Sequence, residues 1–184
     1  MTRYLLVCLM VAALGLNATT AIAGGDYGND EMATDILTAA VPLTGLAVAY
    51  FTGDTEGQKQ WLRNTLVNQG LTSVLRLGFN ETSLGERPNG NEYGFPSGHV
   101  AFVMSGATFL GERYGWKWGL PAYLATAYVA YDRVDKDHHH WRDVIASGAL
   151  AYGVALLTVT PEKASYLAPV IGPGFIGLRW QRSF

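Results

Sequence analysis

Asp132-Arg133-Val134-Asp135-Lys136-Asp137-His138-His139-His140-Trp141-Arg142-Asp143 holds three of the 4 histidines in this 184-residue chain. Its spacing decides the reading. His139 and Asp143 are four residues apart, so on a helix they share one face, one turn apart. A carboxylate there accepts from one ring nitrogen of His139, fixes the tautomer and leaves the other nitrogen free as a nucleophile. Arg133 precedes His139 by six residues, at or before the entrance of that helix. Its guanidinium offers a forked pair of N–H donors to an oxyanion. The fourth histidine, His99, lies in Phe95-Pro96-Ser97-Gly98-His99, forty residues upstream of His139. A histidine with an i+4 carboxylate is common on ordinary helices. Arg133 and the second histidine motif are what make this pair a candidate catalytic site.

Outward from these two stretches the chain reads as helices. Residues 32–51 are apolar apart from Asp35 and a few threonines, and predict a helix kinked at Pro42. Thr52-Gly53-Asp54-Thr55-Glu56-Gly57 is a turn placed to cap the next helix, residues 58–79, which is more polar and carries Arg63, Asn64, Asn68, Gln69 and Arg76. In residues 80–95 glycines, asparagines and Pro88 exclude regular structure. A loop of that length in a compact domain is usually functional or disordered. Residues 96–114 predict a helix with Ser97 as N-cap or first-turn residue. Residues 115–118 break it, residues 120–131 resume with Pro121 bending the start, residues 132–138 form a loop, and a last helix runs over 139–159. The tail, 161–184, ends in a candidate strand over 176–184. The expected fold is all-α, a compact bundle of about five to six helices, membrane-embedded or membrane-associated.

Residues 1–23 stand apart from the fold. Arg3 supplies a positive start, residues 4–16 are apolar, and Ala21-Ile22-Ala23 is a small-x-small cleavage site before Gly24-Gly25: the pattern of a signal peptide. The expected organisation is therefore a signal peptide over 1–23, a domain over 24–160 and a tail over 161–184. Cys8, the only cysteine, lies in the leader, so neither disulfides nor thiolate metal sites are available after it. An exported chain without disulfides fits a bacterial periplasm or membrane. A net charge of -2 with no basic block argues against a nucleic-acid partner. The 22 glycines, 12% aromatic residues and 49% hydrophobic residues suit tightly packed helices near or in a membrane. The apolar runs over 120–131 and 144–159 are shorter than the roughly 20 residues of a full span.

Arg87-Pro88, then Pro96-Ser97-Gly98-His99, then Arg133 with five residues to His139 and three more to Asp143 resemble the three signatures of the type 2 phosphatidic acid phosphatase (PAP2) family. Vanadium haloperoxidases and bacterial class A acid phosphatases share that site. The motifs fall within residues 72–143, and the helix order matches over 30–160. The resemblance implies phosphoryl transfer, whose transition state spreads charge over three equatorial oxygens between an in-line nucleophile and leaving oxygen. It implies that His139 is the nucleophile and forms a phosphohistidine, that Asp143 orients it, and that His99 protonates the leaving oxygen and later assists water. It gives Arg87 and Arg133 to the equatorial oxygens. The Ser97 hydroxyl and the Gly98 N–H, at a helix start, add donors where the helix dipole favours an anion. Arg76 stands where the family has a lysine, with about four extra residues before Arg87, and is read as a further phosphate ligand. Asp132 replaces the family's serine before Arg133. No metal and no other cofactor is implied.

Three functions follow as alternatives. The first is a phosphatase acting on a lipid-linked phosphate or diphosphate at the periplasmic side: phosphatidic acid, phosphatidylglycerol phosphate, undecaprenyl diphosphate or lipid A 1-phosphate. Leu84-Gly85-Glu86-Arg87-Pro88 is similar to a stretch of lipid A 1-phosphatases. The second is a periplasmic acid phosphatase for soluble esters, and the third a vanadium-dependent haloperoxidase. Unbroken apolar faces favour the lipid, and a polar exterior favours the soluble ester. His138 and His140 lack the spacing to Arg133 and Asp143, and three adjacent histidines on a helix point about 100° apart, a poor cage for one metal ion. Trp118, Tyr131 and Trp141 read as packing or interface residues, and Glu86 and Glu92 as a solvated loop face.

Overall fold

The chain's apolar runs become five helices in the computed structural model, which describes residues 29–162, 165–172 and 175–182, with side chains over 31–162. The expected signal peptide lies outside the described residues. The helices are α1 (Asn29–Phe51), α2 (Thr55–Phe79), α3 (Gly98–Tyr114), α4 (Trp116–Asp135) and α5 (Trp141–Thr158). The tail adds an antiparallel hairpin of β1 (Ser165–Gly172) and β2 (Phe175–Arg182), with Ser165 opposite Arg182 and Gly172 opposite Phe175. The fold of the body is all-helical, as expected. The tail holds the expected strand and also a partner strand that the sequence reading missed, although Pro173-Gly174 between them is a turn signal.

Three boundaries differ from expectation, the first being the end of α4, which runs to Asp135 and so carries Asp132 and Arg133 on its last turn rather than in a loop. The break after α3 needs only Gly115, whose φ of 88° suits a residue without Cβ. Helix α4 therefore starts at Trp116 and carries Pro121 inside it. Helix α5 starts at Trp141, later than expected, because the Asp143 carboxylate accepts the His140 N–H at 2.8 Å and makes His140 the cap. The capping turn before α2 forms as anticipated: Asp54 Oδ1 accepts the Gly57 N–H at 2.8 Å.

Helix α3 is the axis. It packs against the other four, which follow around it in the order α4, α1, α2, α5. Val100, Val103, Ala107 and Leu110 line one of its faces at helical spacing and meet Val41, Ala122, Val129 and Val144. Phe109, on another face, meets Ala49, Trp61, Ala155 and Val159. A Cβ on Gly106 would sit 2.5 Å from Pro42 Cα, so α1 and α3 touch backbone to backbone there. The seams are also hydrogen-bonded. Asn64 and Asn68 of α2 donate to the Ser105 and Ala101 carbonyls of α3 at 3.0 and 2.7 Å, and Trp61 Nε1 donates to the Pro42 carbonyl at 2.8 Å.

Polarity is distributed the wrong way round for a bundle in water. Thr34, Asn64, Asn68, Thr72, Ser105, Thr108 and Ser147 are buried. Met32, Ile36, Leu43 and Tyr50 of α1 are exposed, as are Val67, Leu71 and Val74 of α2, Leu120, Leu124, Tyr128 and Tyr131 of α4, and Trp141, Ile145, Tyr152 and Leu156 of α5. Each set recurs at three, four or seven residues, which is one stripe along a helix. All four outer helices present such a stripe, and α3 presents none among the described residues. Among the described residues, helix α1 alone is long and apolar enough to cross a membrane, over residues 31–51.

One end of the bundle is tied by a buried ion pair. Arg113 donates twice to Asp54, at 2.8 and 2.6 Å, and once to the Thr160 carbonyl at 2.8 Å, while the Tyr114 hydroxyl donates to Asp54 at 2.9 Å. Burial would raise the Asp54 carboxyl, but Arg113, the Gly57 N–H and Tyr114 hold it below the ordinary 3.8. Arg113→Ala strands a buried carboxylate and should cost about 3–5 kcal/mol. The thermal midpoint should fall on the order of 10 °C. The stability that Asp54 contributes is present above its unfolded value near 3.8. It is lost as the pH falls through the still lower folded value. Calorimetry of both proteins at neutral pH and in acid checks this.

Candidate active site

The other end of the bundle gathers the starts of α1, α3 and α5 and the ends of α2 and α4, together with loops 80–97 and 136–140. The short loop is folded by Arg133 itself, whose carbonyl accepts the N–H groups of both His138 and His139 at 3.0 Å. Asp137, with φ 58°, completes the reversal. His139 thus leaves the chain just before α5 rather than on it and turns inward, 2% exposed.

Its ring is held by the other loop. His139 Nδ1 lies 2.8 Å from the Gly94 carbonyl oxygen and 3.7 Å from Asp143 Oδ2. A carbonyl only accepts, so Nδ1 carries the hydrogen and Nε2 keeps its lone pair. The expected carboxylate faces the same ring nitrogen and also caps α5, but a backbone oxygen makes the closer bond. Asp143 remains the charge beneath the ring. Burial lowers the His139 ring below the ordinary histidine value, against the raising contacts of Asp143 and Gly94, and Arg87 lowers it further. The ring is therefore neutral near pH 7, as a nitrogen nucleophile requires. Burial would raise the Asp143 carboxyl; the nearby His139 ring and the His140 N–H keep it low and ionised.

The long loop and α2 supply two guanidinium groups. Arg76 Nε and Arg87 Nη2 both face the Tyr93 carbonyl, at 3.3 and 3.5 Å. Arg76 reaches across the start of α3: a Cβ on Gly98 would stand 3.1 Å from its Nη1. The residues that lengthen the segment between the two arginines are taken up in turns. Gly85 N–H donates to the Thr82 carbonyl at 2.9 Å, Gly94 N–H to the Gly85 carbonyl at 2.7 Å, and Tyr93 N–H to Asn80 Oδ1 at 2.9 Å. The insertion folds on itself, and Arg76 keeps its place beside Arg87.

Ser97 caps α3 with its backbone while its fully buried hydroxyl stays unengaged. Ser97 Oγ, Arg87 Nε and Arg133 Nε are buried donors without a protein acceptor, a costly condition for three groups at one site. His99, in the first turn of α3, keeps its side chain 28% exposed. Enclosure by the site, then the charges of Arg133, His139, Arg76 and Arg87, push its ring down to about 3. The same crowding appears at Arg87, lowered first by burial and then by Arg76 and Arg133. Arg76, Arg87, Ser97, Gly98, His99, Arg133, His139 and Asp143 thus surround one strongly positive, donor-rich cradle.

Other expectations resolve simply. Asp132 pairs with Lys136 at 2.6 Å, one turn along α4. His138 Nε2 contacts Glu31 at 3.2 Å, while His140 Nδ1 lies 3.5 Å from the Asp143 oxygen that His139 also faces. Among the described residues no three His, Cys, Asp or Glu side chains converge as a metal cluster. Glu86 and Glu92 are exposed. Sequence reasoning missed the Tyr93 and Gly94 carbonyls, for which the only hint was a turn before Phe95-Pro96. It also missed Asp35, which joins Arg133 from α1 at 2.6 Å.

A family model described as the PAP2 superfamily matches residues 43–165. A lipid A 4'-phosphatase of Helicobacter pylori is 31% identical over 134 residues, which cover 67% of this chain and 68% of the relative. No solved structure matches.

Two substitutions read this geometry. Where an aspartate alone sets a catalytic histidine's tautomer, Asp→Asn lowers kcat about 10⁴-fold. Here the Gly94 carbonyl holds the same hydrogen, so Asp143→Asn should lose distinctly less, and steady-state kcat decides it. Gly98→Ala puts a methyl group against Arg76 and should raise KM more than it lowers kcat, with the thermal midpoint little changed.

Proposed function

The chain belongs to the PAP2 superfamily, and from that premise we propose that it is a metal-independent phosphatase that hydrolyses a phosphate monoester or diphosphate on a membrane lipid through a phosphohistidine. The observation that carries this reading is the set of buried, unengaged donors Arg87 Nε, Ser97 Oγ and Arg133 Nε, from the long loop and the end of α4, beside a histidine whose second nitrogen keeps its lone pair.

In this reading the three arginines, the Ser97 hydroxyl and the Gly98 N–H hold the equatorial oxygens of the phosphoryl group. His139 Nε2 attacks phosphorus, the P–N bond forms, and the P–O bond to the lipid breaks. The departing oxygen takes a proton from His99. The ring, now cationic, keeps its Nδ1–H on the Gly94 carbonyl with the Asp143 carboxylate nearby. Water then attacks phosphorus, His99 takes a proton from it, and the P–N bond breaks to release phosphate and neutral His139. Burial and then the three arginines depress His99 in the free cradle, and a bound phosphate dianion offsets the arginines. Substrate binding therefore restores the proton His99 must deliver, and the acid is armed only when its target is present.

The lipid class rests on the exterior. Four apolar stripes on the outer helices over a polar-seamed interior suit acyl chains better than water. The Helicobacter pylori relative acts, by its name, on lipid A. Phosphatidic acid, phosphatidylglycerol phosphate, undecaprenyl diphosphate and lipid A phosphates are the candidate substrates. Together with the leader read over 1–23, this makes the chain an exported, membrane-associated enzyme whose site faces the periplasm.

Phosphate release from a panel of lipid and soluble phosphates, with and without detergent, tests the proposal. Release should be fastest from a lipid in detergent micelles and survive EDTA. It should be blocked by vanadate, and fall to background in His139→Ala with the fold intact. Brief mixing with ³²P-labelled substrate and an alkaline quench should leave label on the wild-type chain but not on His139→Ala. Halide oxidation with vanadate, or preference for soluble esters, would install one of the other two readings.

A further inference from the structure

Asp35 enters the cradle from outside every motif. It lies on α1, N-terminal to the family-matched residues 43–165, in a run that otherwise reads as apolar. Its Oδ1 accepts from Arg133 Nη2 at 2.6 Å and stands 3.6 Å from His99 Nε2, with the side chain 16% exposed. One turn earlier on the same helix, Glu31 contacts His138 at 3.2 Å. The start of α1 is thus docked at two points on the segment that carries Arg133 and His139, and Asp35 has a fixed place.

A carboxylate at an anion site repels the substrate and weakens binding, so its presence calls for a compensating role. The groups facing His99 define one. Arg76 from α2, Arg87 and His139 from the two loops, and Arg133 from α4 all disfavour a proton on its ring. Asp35 from α1 is the only carboxylate at ion-pair distance from it among the described residues. Asp143 lies beneath His139 instead.

On the strength of the phosphatase reading, we propose that Asp35 is a positioning residue for the leaving-group end of the reaction: it holds the protonated His99 ring at Nε2, which leaves the Nδ1–H for the departing oxygen, and it fixes the Arg133 fork beside it. No step passes through Asp35. Its carboxylate makes the protonated His99 a member of an ion pair once phosphate has balanced the arginines.

Leaving-group dependence tests this. An alkyl phosphate needs its oxygen protonated as it departs, whereas p-nitrophenyl phosphate releases a stable phenolate and needs little help. The full chain in detergent is assayed on both, as wild type, Asp35→Asn, His99→Ala and the double variant. Asp35→Asn should lower kcat for the alkyl phosphate by about 10–100-fold, a fraction of what a general acid supplies. For the nitrophenyl ester the change should stay within about 3-fold on the same ground. The alkaline limb of kcat against pH should move to lower pH, because the substrate-bound His99 gives up its proton sooner. Asp35→Asn should add nothing in the His99→Ala background. The ratio of the two rates in one sample does not depend on the folded fraction, so partial misfolding does not blur the result. An equal loss on both substrates would reduce Asp35 to a clamp on Arg133 and overturn the proposal. A fall in KM with unchanged selectivity would make it a displaceable counter-anion and overturn it equally. A wild type inert toward both esters would bring down the phosphatase reading, and this inference with it.

Discussion

The hydrogen bond from His139 Nδ1 to the Gly94 carbonyl, 2.8 Å long and buried, joins the two loops on which the site is built. It does three things at once. It settles which ring nitrogen carries hydrogen, since a carbonyl has none to give. It anchors loop 80–97, which has no regular structure of its own, to the start of α5. It also brings the Tyr93 carbonyl, one residue away, to where both Arg76 and Arg87 find it. Arg142 on the Ser83 carbonyl and Ser147 on the Ser97 carbonyl also tie the long loop to α5, but the Gly94 bond is the tie next to the acceptor that two of the three guanidinium groups share. A side-chain partner can move or change protonation. A backbone oxygen in a closed loop does neither, and so imposes one tautomer throughout the cycle.

The remainder of the chain serves to hold those loops still. Helix α3 is buried among four others, and its first turn carries Ser97, Gly98 and His99 into the middle of the site. Its last turn carries Arg113 into the ion pair with Asp54. The element that presents this turn is therefore pinned at its far end by a two-pronged contact. Its flanks are set by asparagine amides that donate to its carbonyls. Polar seams of this kind are directional, so they fix helix register where apolar contacts permit sliding. They also free the outer faces to be apolar.

Legibility in the sequence followed the physical range of each feature. Helices α1 to α3 were readable because apolar runs and local breakers act within a few residues, and the Asp54 cap was readable for the same reason. Pro121 misled because a proline early in a helix costs little when Gly115 has already made the turn. Residue 139 was placed on α5 because the i+4 spacing to Asp143 suits a helix; the capping role of Asp143 delays the helix start and turns that spacing into a loop contact. Arg76 was recoverable despite the longer segment, because extra residues can close on themselves as turns. The Tyr93 and Gly94 carbonyls could not be found, since every residue has a carbonyl and only the fold chooses among them. Asp35 was invisible for another reason. Its partners lie 64 and 98 residues away, and one acid in an apolar helix has no local signature.

Charge explains why the site includes acids at all. Three arginines around one small volume repel one another, and after burial their charge is what depresses His99 to about 3. Such a cluster without carboxylates would be hard to assemble during folding and would hold product phosphate too firmly. Asp143 stands by His139, and Asp35 by Arg133 and His99, so each balances part of the charge beside a different histidine. In the proposed reaction, substrate supplies the rest of the negative charge and favours the proton on His99, and release of phosphate returns the arginines to their mutual repulsion. The same imbalance that draws an anion in therefore limits how long the cradle favours an acid in its proton-bearing form.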